Sequence, residues 1–186
     1  MRRATDADRA AWARMLTDPV VRRYLGGPLD PGMVHAATSD TKPGTTWGSF
    51  VIELVGPDVV AGSCSVDRDR GELEVSYQLL PEFVGMGIAT EALEALLAWA
   101  YRECPDEDHV IAVTQVANAP SRRLLERLGF TERERFVEYD AEQVLYSAPL
   151  AGFGLAGSGP TGSGPAGSGP AGSGPTGSGP TGSGPA

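Results

Sequence analysis

The stretch Leu73-Glu74-Val75-Ser76-Tyr77-Gln78-Leu79-Leu80-Pro81-Glu82-Phe83-Val84-Gly85-Met86-Gly87-Ile88-Ala89-Thr90-Glu91 carries most of the information about the fold. Its first half alternates Leu73, Val75, Tyr77 and Leu79 with Glu74, Ser76 and Gln78, the period-two pattern of a strand with one apolar and one polar face. Pro81 ends that strand. Gly85 and Gly87 mark a turn, and Ala89, Leu93, Leu96, Leu97 and Ala100 then recur at helical spacing, so a long helix follows. Strand, glycine turn and helix start, in that order, bring free backbone amides and the positive end of a helix dipole to one point, where glycine admits a bulky anion. The stretch reads as a phosphate cradle, with a plain tight turn as the alternative. A dinucleotide-binding Rossmann turn needs glycine at Thr90 and an acid at the end of the next strand, whereas Asp106 and Asp108 precede that strand. A Walker loop needs Gly-Lys-Ser/Thr, which is absent.

Downstream, the nearly all-apolar run Val110 to Val116 follows the helix and predicts a central strand covered on both faces, the return half of a β-α-β crossover. Asn118-Ala119-Pro120 opens another helix, with Leu124, Leu125 and Leu128 inward and Gly129 as its stop. Two closing strands, about 132–139 and 143–150, meet at Asp140-Ala141. Upstream, Ser49 to Leu54 and Val59 to Val66 form strands joined by Gly56-Pro57-Asp58, and Arg68-Asp69-Arg70-Gly71 makes the next turn. Thr5 followed by Asp8 starts a helix over about residues 6–17, whose apolar face is Ala11, Trp12, Met15 and Leu16. Shorter helical stretches are expected at 20–25 and 31–39. A first strand beginning at Arg2 looks truncated, as if the natural start lay upstream. The order predicts a mixed α/β domain.

The chain has 186 residues, and the last 30, Gly157 to Ala186, are six uncharged copies of Gly-Ser-Gly-Pro-(Thr/Ala). Such a sequence has nothing apolar to hold it down and predicts a disordered tail, either a passive extension or a tether. Setting aside this tail, whose only apolar residues are three alanines, raises the apolar fraction from 41% to roughly 47%, an ordinary globular value. The expected organisation is one domain over 1–151 and a low-complexity tail over 152–186. With 15 basic and 24 acidic residues the net charge is −9, which disfavours nucleic acid as a ligand. Cys64 and Cys104 stand far apart with only His35 and His109 to help them, so no zinc-type spacing exists and no metal is expected. Met1-Arg2-Arg3 runs straight into Thr5-Asp6-Ala7-Asp8-Arg9, and no 18 consecutive residues are apolar. Neither secretion nor a membrane span is expected, and a cytoplasmic chain with reduced thiols is.

Leu73 to Pro81, then Gly85-x-Gly87-x-Ala89-Thr90-Glu91-Ala92-Leu93, then Asn118-x-x-Ser121-x-x-Leu124-Leu125-Glu126-x-Leu128-Gly129-Phe130, together resemble the GNAT superfamily of acetyltransferases. Within it the chain is similar to the subgroup that acetylates ribosomal-protein N-termini and small amines. The likeness runs from about Arg2 to Leu150. It implies a central twisted, mostly antiparallel sheet with flanking helices, whose fourth and fifth strands, here 73–79 and 110–116, splay apart around the pantetheine arm of acetyl-CoA. In that arrangement the amides of Gly85, Met86, Gly87, Ile88 and Ala89, flanked by Val84 and Thr90, hold the pyrophosphate. The amide of Leu79 or Leu80 polarises the thioester carbonyl as a one-donor oxyanion site.

Two positions depart from the family pattern. Arg or Gln usually stands where this chain has Val84, and many members carry a proton-donating Tyr where it has Leu125. Ser121 is then the candidate donor to the leaving thiolate, with Asn118 holding the pantetheine; simple helix capping is the alternative for both. Glu74 is the first candidate for the base that deprotonates the amine and Asp67 the second, each against the alternative of a solvated surface carboxylate. Glu91 reads as structural. Trp12, Tyr24 and Trp47 line an acceptor pocket or belong to the core. The implied activity is acetyl transfer from acetyl-CoA, a co-substrate, to a primary amine of a peptide or small molecule, by a monomer or homodimer. A catalytically weak acyl-CoA sensor is the rival.

Overall fold

A computed structural model describes residues 1–39 and 47–154; residues 40–46 and 155–186, with the repeat tail, lie outside the described residues. Among the described residues six strands form one sheet: β1 Ser49–Leu54, β2 Val59–Asp69, β3 Glu72–Leu79, β4 His109–Gln115, β5 Thr131–Glu138 and β6 Ala141–Pro149. Their order is β1-β2-β3-β4-β6-β5, and among these neighbours β3 and β4 alone run parallel. The helix that makes that crossover is α3, Ile88–Glu103; the others are α1 Arg9–Thr17, α2 Pro31–Ser39 and α4 Ala119–Arg127. The expected mixed α/β architecture is present.

Helix α3 supplies the core because its stripe is apolar along its length: Leu93, Leu96 and Leu97 are wholly buried against Phe50, Ile52, Val66, Leu73 and Val75. Each such leucine contributes roughly 1.5–3 kcal/mol. Leu124 and Leu125 of α4 join the same cluster beside Val144 and Tyr146. β3 turns its polar residues to the sheet's other face, and the cavity described below is lined from both faces.

Two strand ends differ from the expected ones because of turn chemistry. β2 runs three residues beyond the expected Val66, because its hairpin needs only Arg70 and Gly71, with φ of +52° and +79°. The last hairpin turns at Tyr139-Asp140, φ +53° and +56°, one residue earlier than expected. Turns with both central residues at positive φ match the right-handed twist of paired strands, and here that match prevails over the poor intrinsic fit of tyrosine. The first helix begins as a 3₁₀ turn, Asp6–Asp8, and the stretch after Pro19 is a 3₁₀ turn, Val21–Tyr24.

Arg2 forms an isolated bridge to Val51, exchanging two backbone hydrogen bonds of 3.1 and 2.9 Å. Its guanidinium reaches Asp8 at 2.9 and 3.0 Å and Glu53 at 2.6 Å. Asp8, 3% exposed, also accepts from the Thr5 amide and hydroxyl. The Arg2 hydrogen bonds hold the Asp8 carboxyl below the usual carboxylate range. A depressed folded pKa contributes stability that is complete above the unfolded carboxyl pKa of about 4 and fades as pH falls through the folded value. Asp8→Asn is therefore expected to cost about 1–2 kcal/mol in urea unfolding at neutral pH, and the difference from the parent chain shrinks as the pH is lowered below about 4.

Candidate active site

The parallel pair β3/β4 has a single register match, Glu74 with Ile111. Beyond that match the two strands have no further paired residues, and Gln78 and Leu79 of one and Thr114 and Gln115 of the other line a common cavity, the gap between them. Which β3 amides look into the opening follows from the ladder on the other side. The Leu80 amide donates to the Ala61 carbonyl at 2.8 Å. In an antiparallel ladder this makes Leu79, opposite Gly62, a non-hydrogen-bonded position whose N–H points away from β2. The same parity turns the Tyr77 N–H, opposite Cys64, toward the opening. The expectation that left Leu79 and Leu80 open as oxyanion donors is thus corrected: Leu80 is engaged by the sheet, and Leu79 faces the gap.

After Pro81–Phe83 the chain passes Gly85 at φ +86° and Gly87 at φ +81°. A Cβ built on either meets nothing within 4 Å, so the need for glycine is conformational and the space before the turn is open. Gly87 is the N-cap of α3 and no side chain caps that end; the ladder begins with Glu91 donating to the Gly87 carbonyl at 3.2 Å. The amides of Ile88, Ala89 and Thr90 thus have no helical acceptor. Arg14 of α1 grips Glu82 with two bonds, 2.5 and 2.8 Å, and ties the turn to the first helix. Val84 and Met86 are exposed on it. Open amides at a double-glycine turn could hold a diphosphate.

At the start of α4 the Asn118 carbonyl oxygen accepts from the Ser121 amide at 3.3 Å, and its amide nitrogen donates to the Thr114 hydroxyl at 3.2 Å. Asn118 therefore does cap the helix. Ser121 does not: its hydroxyl lies 2.7 Å from that of Tyr77, on β3. Burial pushes the Tyr77 phenol above its ordinary range, with the Ser121 hydrogen bond pulling the other way. Alternation alone marks Tyr77 as one more apolar strand residue; its hydroxyl, at a position facing the α4 side of the sheet, is the signal that distinguishes it.

On the opposite face of β3, the cross-strand pairs Asp67 with Glu74, Ser65 with Ser76 and Ser63 with Gln78 form a polar wall, where Gln78 donates to Ser63 at 3.1 Å. Glu74 lines the cavity, 3.9 Å from the Arg70 guanidinium, which also binds Glu138 at 2.5 Å. Asp67 is exposed and stands outside it. A cavity of about 1060 Å³ joins Val84 to Thr90, the gap, Asn118 and Ser121, and this wall. Trp12 and Tyr24 line it, whereas Trp47 packs on Trp99 at 5.3 Å between ring centroids, away from the cavity. Cys64 also touches it, but burial pushes its thiol up to about 12, which removes it as a nucleophile at neutral pH.

The profile of the Acetyltransferase (GNAT) domain matches residues 1–131. The chain belongs to the GNAT acetyltransferase family. A curated relative from Bacillus subtilis (strain 168), provisionally named a ribosomal N-acetyltransferase, YdaF, is 34% identical over 68 residues, 37% of this chain and 37% of that one. The chain spans about half or less of the length of the curated relatives it matches. Among solved structures, a GNAT acetyltransferase from Bacillus anthracis superposes with a TM-score of 0.71 at 20% identity, over 81% of this chain and 93% of that one. The Salmonella typhimurium protein yncA, solved with its cofactor acetyl-CoA, superposes with a TM-score of 0.62 at 23% identity, over 80% and 92%. These two likenesses establish a shared GNAT fold.

Proposed function

We propose that this GNAT domain, residues 1–151, transfers the acetyl group of acetyl-CoA to a primary amine of a peptide N-terminus or small molecule, by direct attack of the amine on the thioester. The observation that carries the reading is the continuity of one cavity from the uncapped α3 N-terminus, through the β3/β4 gap, to the polar wall of β2 and β3. Backbone amides from Gly85 to Thr90, beside Val84, hold the diphosphate. Leu79 N–H points at the carbonyl oxygen on which charge develops. Asn118 keeps one amide hydrogen beyond its cap bonds for the pantetheine arm. Ser121 serves the departing sulfur, and Glu74 receives the proton that the amine must lose. The similarity to YdaF supports ribosomal-protein N-termini as the peptide class.

The test is a panel of amines and short peptides incubated with acetyl-CoA and the full chain, read as free thiol. Release with at least one acceptor is expected; binding of acetyl-CoA with no release from any acceptor would point to the sensor reading instead. With the best acceptor, Glu74→Gln is expected to lower kcat roughly a hundredfold at neutral pH, and less as the pH approaches the pKa of the amine, because a neutral amine needs no base. Full turnover in that variant would remove Glu74 from the mechanism.

A further inference from the structure

We propose that Tyr77 is the positioning residue behind the proton donor, its hydroxyl donating to Ser121 Oγ so that the Ser121 hydrogen is aimed at the departing sulfur. The inference rests on the acetyl-CoA reading above and assigns a role that the strand residue did not have in it. The two hydroxyl oxygens are 2.7 Å apart, a full-strength contact, and both residues line the cavity at the gap. An aliphatic hydroxyl is a far weaker acid than a phenol, so Ser121 alone is a poor source of a proton. Helix α4 offers no phenol itself: Leu125 is 1% exposed and apolar. Tyr77 packs from the facing strand against the cluster that contains Leu125, and so brings a phenol to the same corner from the other side. Its burial keeps it protonated at neutral pH, which makes it a donor rather than a base.

The transfer balances without a further reactant. A C–N bond forms between the amine and the acetyl carbon as the C–S bond breaks and its electron pair leaves on sulfur. Sulfur takes the Ser121 proton, Ser121 takes the Tyr77 proton, and water restores the phenol. The ammonium loses two protons by way of Glu74, one before the attack and one as the C–N bond forms; one matches the proton consumed at sulfur and the other passes to water as the net proton of the reaction.

The test reads free coenzyme A bound to the full chain, through the ultraviolet absorbance of its thiolate as pH is raised. Two donors in series favour the thiolate, so Tyr77→Phe is expected to move the ionisation of bound coenzyme A upward by about one pH unit, a tenfold weaker preference for the anion. Affinity at neutral pH, where the bound thiol is protonated, is expected to stay within about twofold, since phenylalanine keeps the ring. Ser121→Ala is expected to give the same shift and the double variant no more, because the two act as one unit. In turnover, kcat falls roughly a hundredfold with KM for acetyl-CoA unchanged. Bound coenzyme A that titrates in Tyr77→Phe as it does in the parent chain overturns the role of Tyr77 and leaves the acetyl-CoA reading standing. A parent chain that binds no coenzyme A overturns that reading itself, and this inference with it.

Discussion

Leu79→Pro is expected to lower kcat by roughly 10²- to 10³-fold while acetyl-CoA still binds. The substitution deletes one N–H, and the ladder parity makes it the one whose loss leaves the sheet intact: the neighbouring Leu80 amide holds Ala61, whereas the Leu79 amide faces the gap. Proline asks the preceding residue to be extended, which Gln78 already is as a strand residue. The partly buried leucine side chain is lost as well, at a cost of about 1 kcal/mol of stability. Leu79→Ala separates the two effects, since it removes the side chain and keeps the amide. The measurement is the ratio of kcat between these variants, with thermal unfolding as the control. Equal rates in Leu79→Pro and Leu79→Ala would take the oxyanion role away from this amide.

Gly87→Val is expected to weaken acetyl-CoA binding by roughly a hundredfold or more with little change in the fold. At φ +81° an L-residue is strained by about 1–2 kcal/mol, and a β-branched one by more. No protein atom lies within 4 Å of the added Cβ, so the strain is relieved by reshaping the turn rather than by disturbing the core. The amides at the start of α3 then no longer converge on one point, and each charged hydrogen bond lost is worth about 1.5–3 kcal/mol. Calorimetric titration reads the affinity, and Gly87→Ala is expected to fall between the two. Unchanged affinity in Gly87→Val would place the diphosphate elsewhere.

What could be read beforehand was what depends on near neighbours in the chain. The alternation from Leu73 to Leu79, the double glycine and the stripe of α3 are local patterns, and they place the crossover and the turn that opens α3. The choice between Leu79 and Leu80 was not local, because it depends on Gly62 lying opposite Leu79 in a strand that arrives from elsewhere. Tyr77 and Ser121 are 44 residues apart in sequence, and period-two reasoning filed the tyrosine by its ring and ignored its oxygen. Arg70 reads as a turn residue, and its contact with Glu74 is local, but its contact with Glu138 exists only because the β5–β6 hairpin comes back beside the β2–β3 tip. The turn at Tyr139-Asp140 is hard to place because its first residue, a tyrosine, is not a customary host of positive φ. Trp47 was grouped with Trp12 and Tyr24 as an aromatic, and Trp99 on α3, invisible to that reasoning, holds it elsewhere.

The central claim is that main-chain donors at the start of α3 and the adjoining gap form a seat for acetyl-CoA. It is tested most directly by calorimetric titration of the full chain with acetyl-CoA. Saturable heat at one equivalent per chain, tighter than about −4 kcal/mol and reduced in Gly87→Val, is the predicted result. No saturable heat at roughly millimolar acetyl-CoA would contradict it.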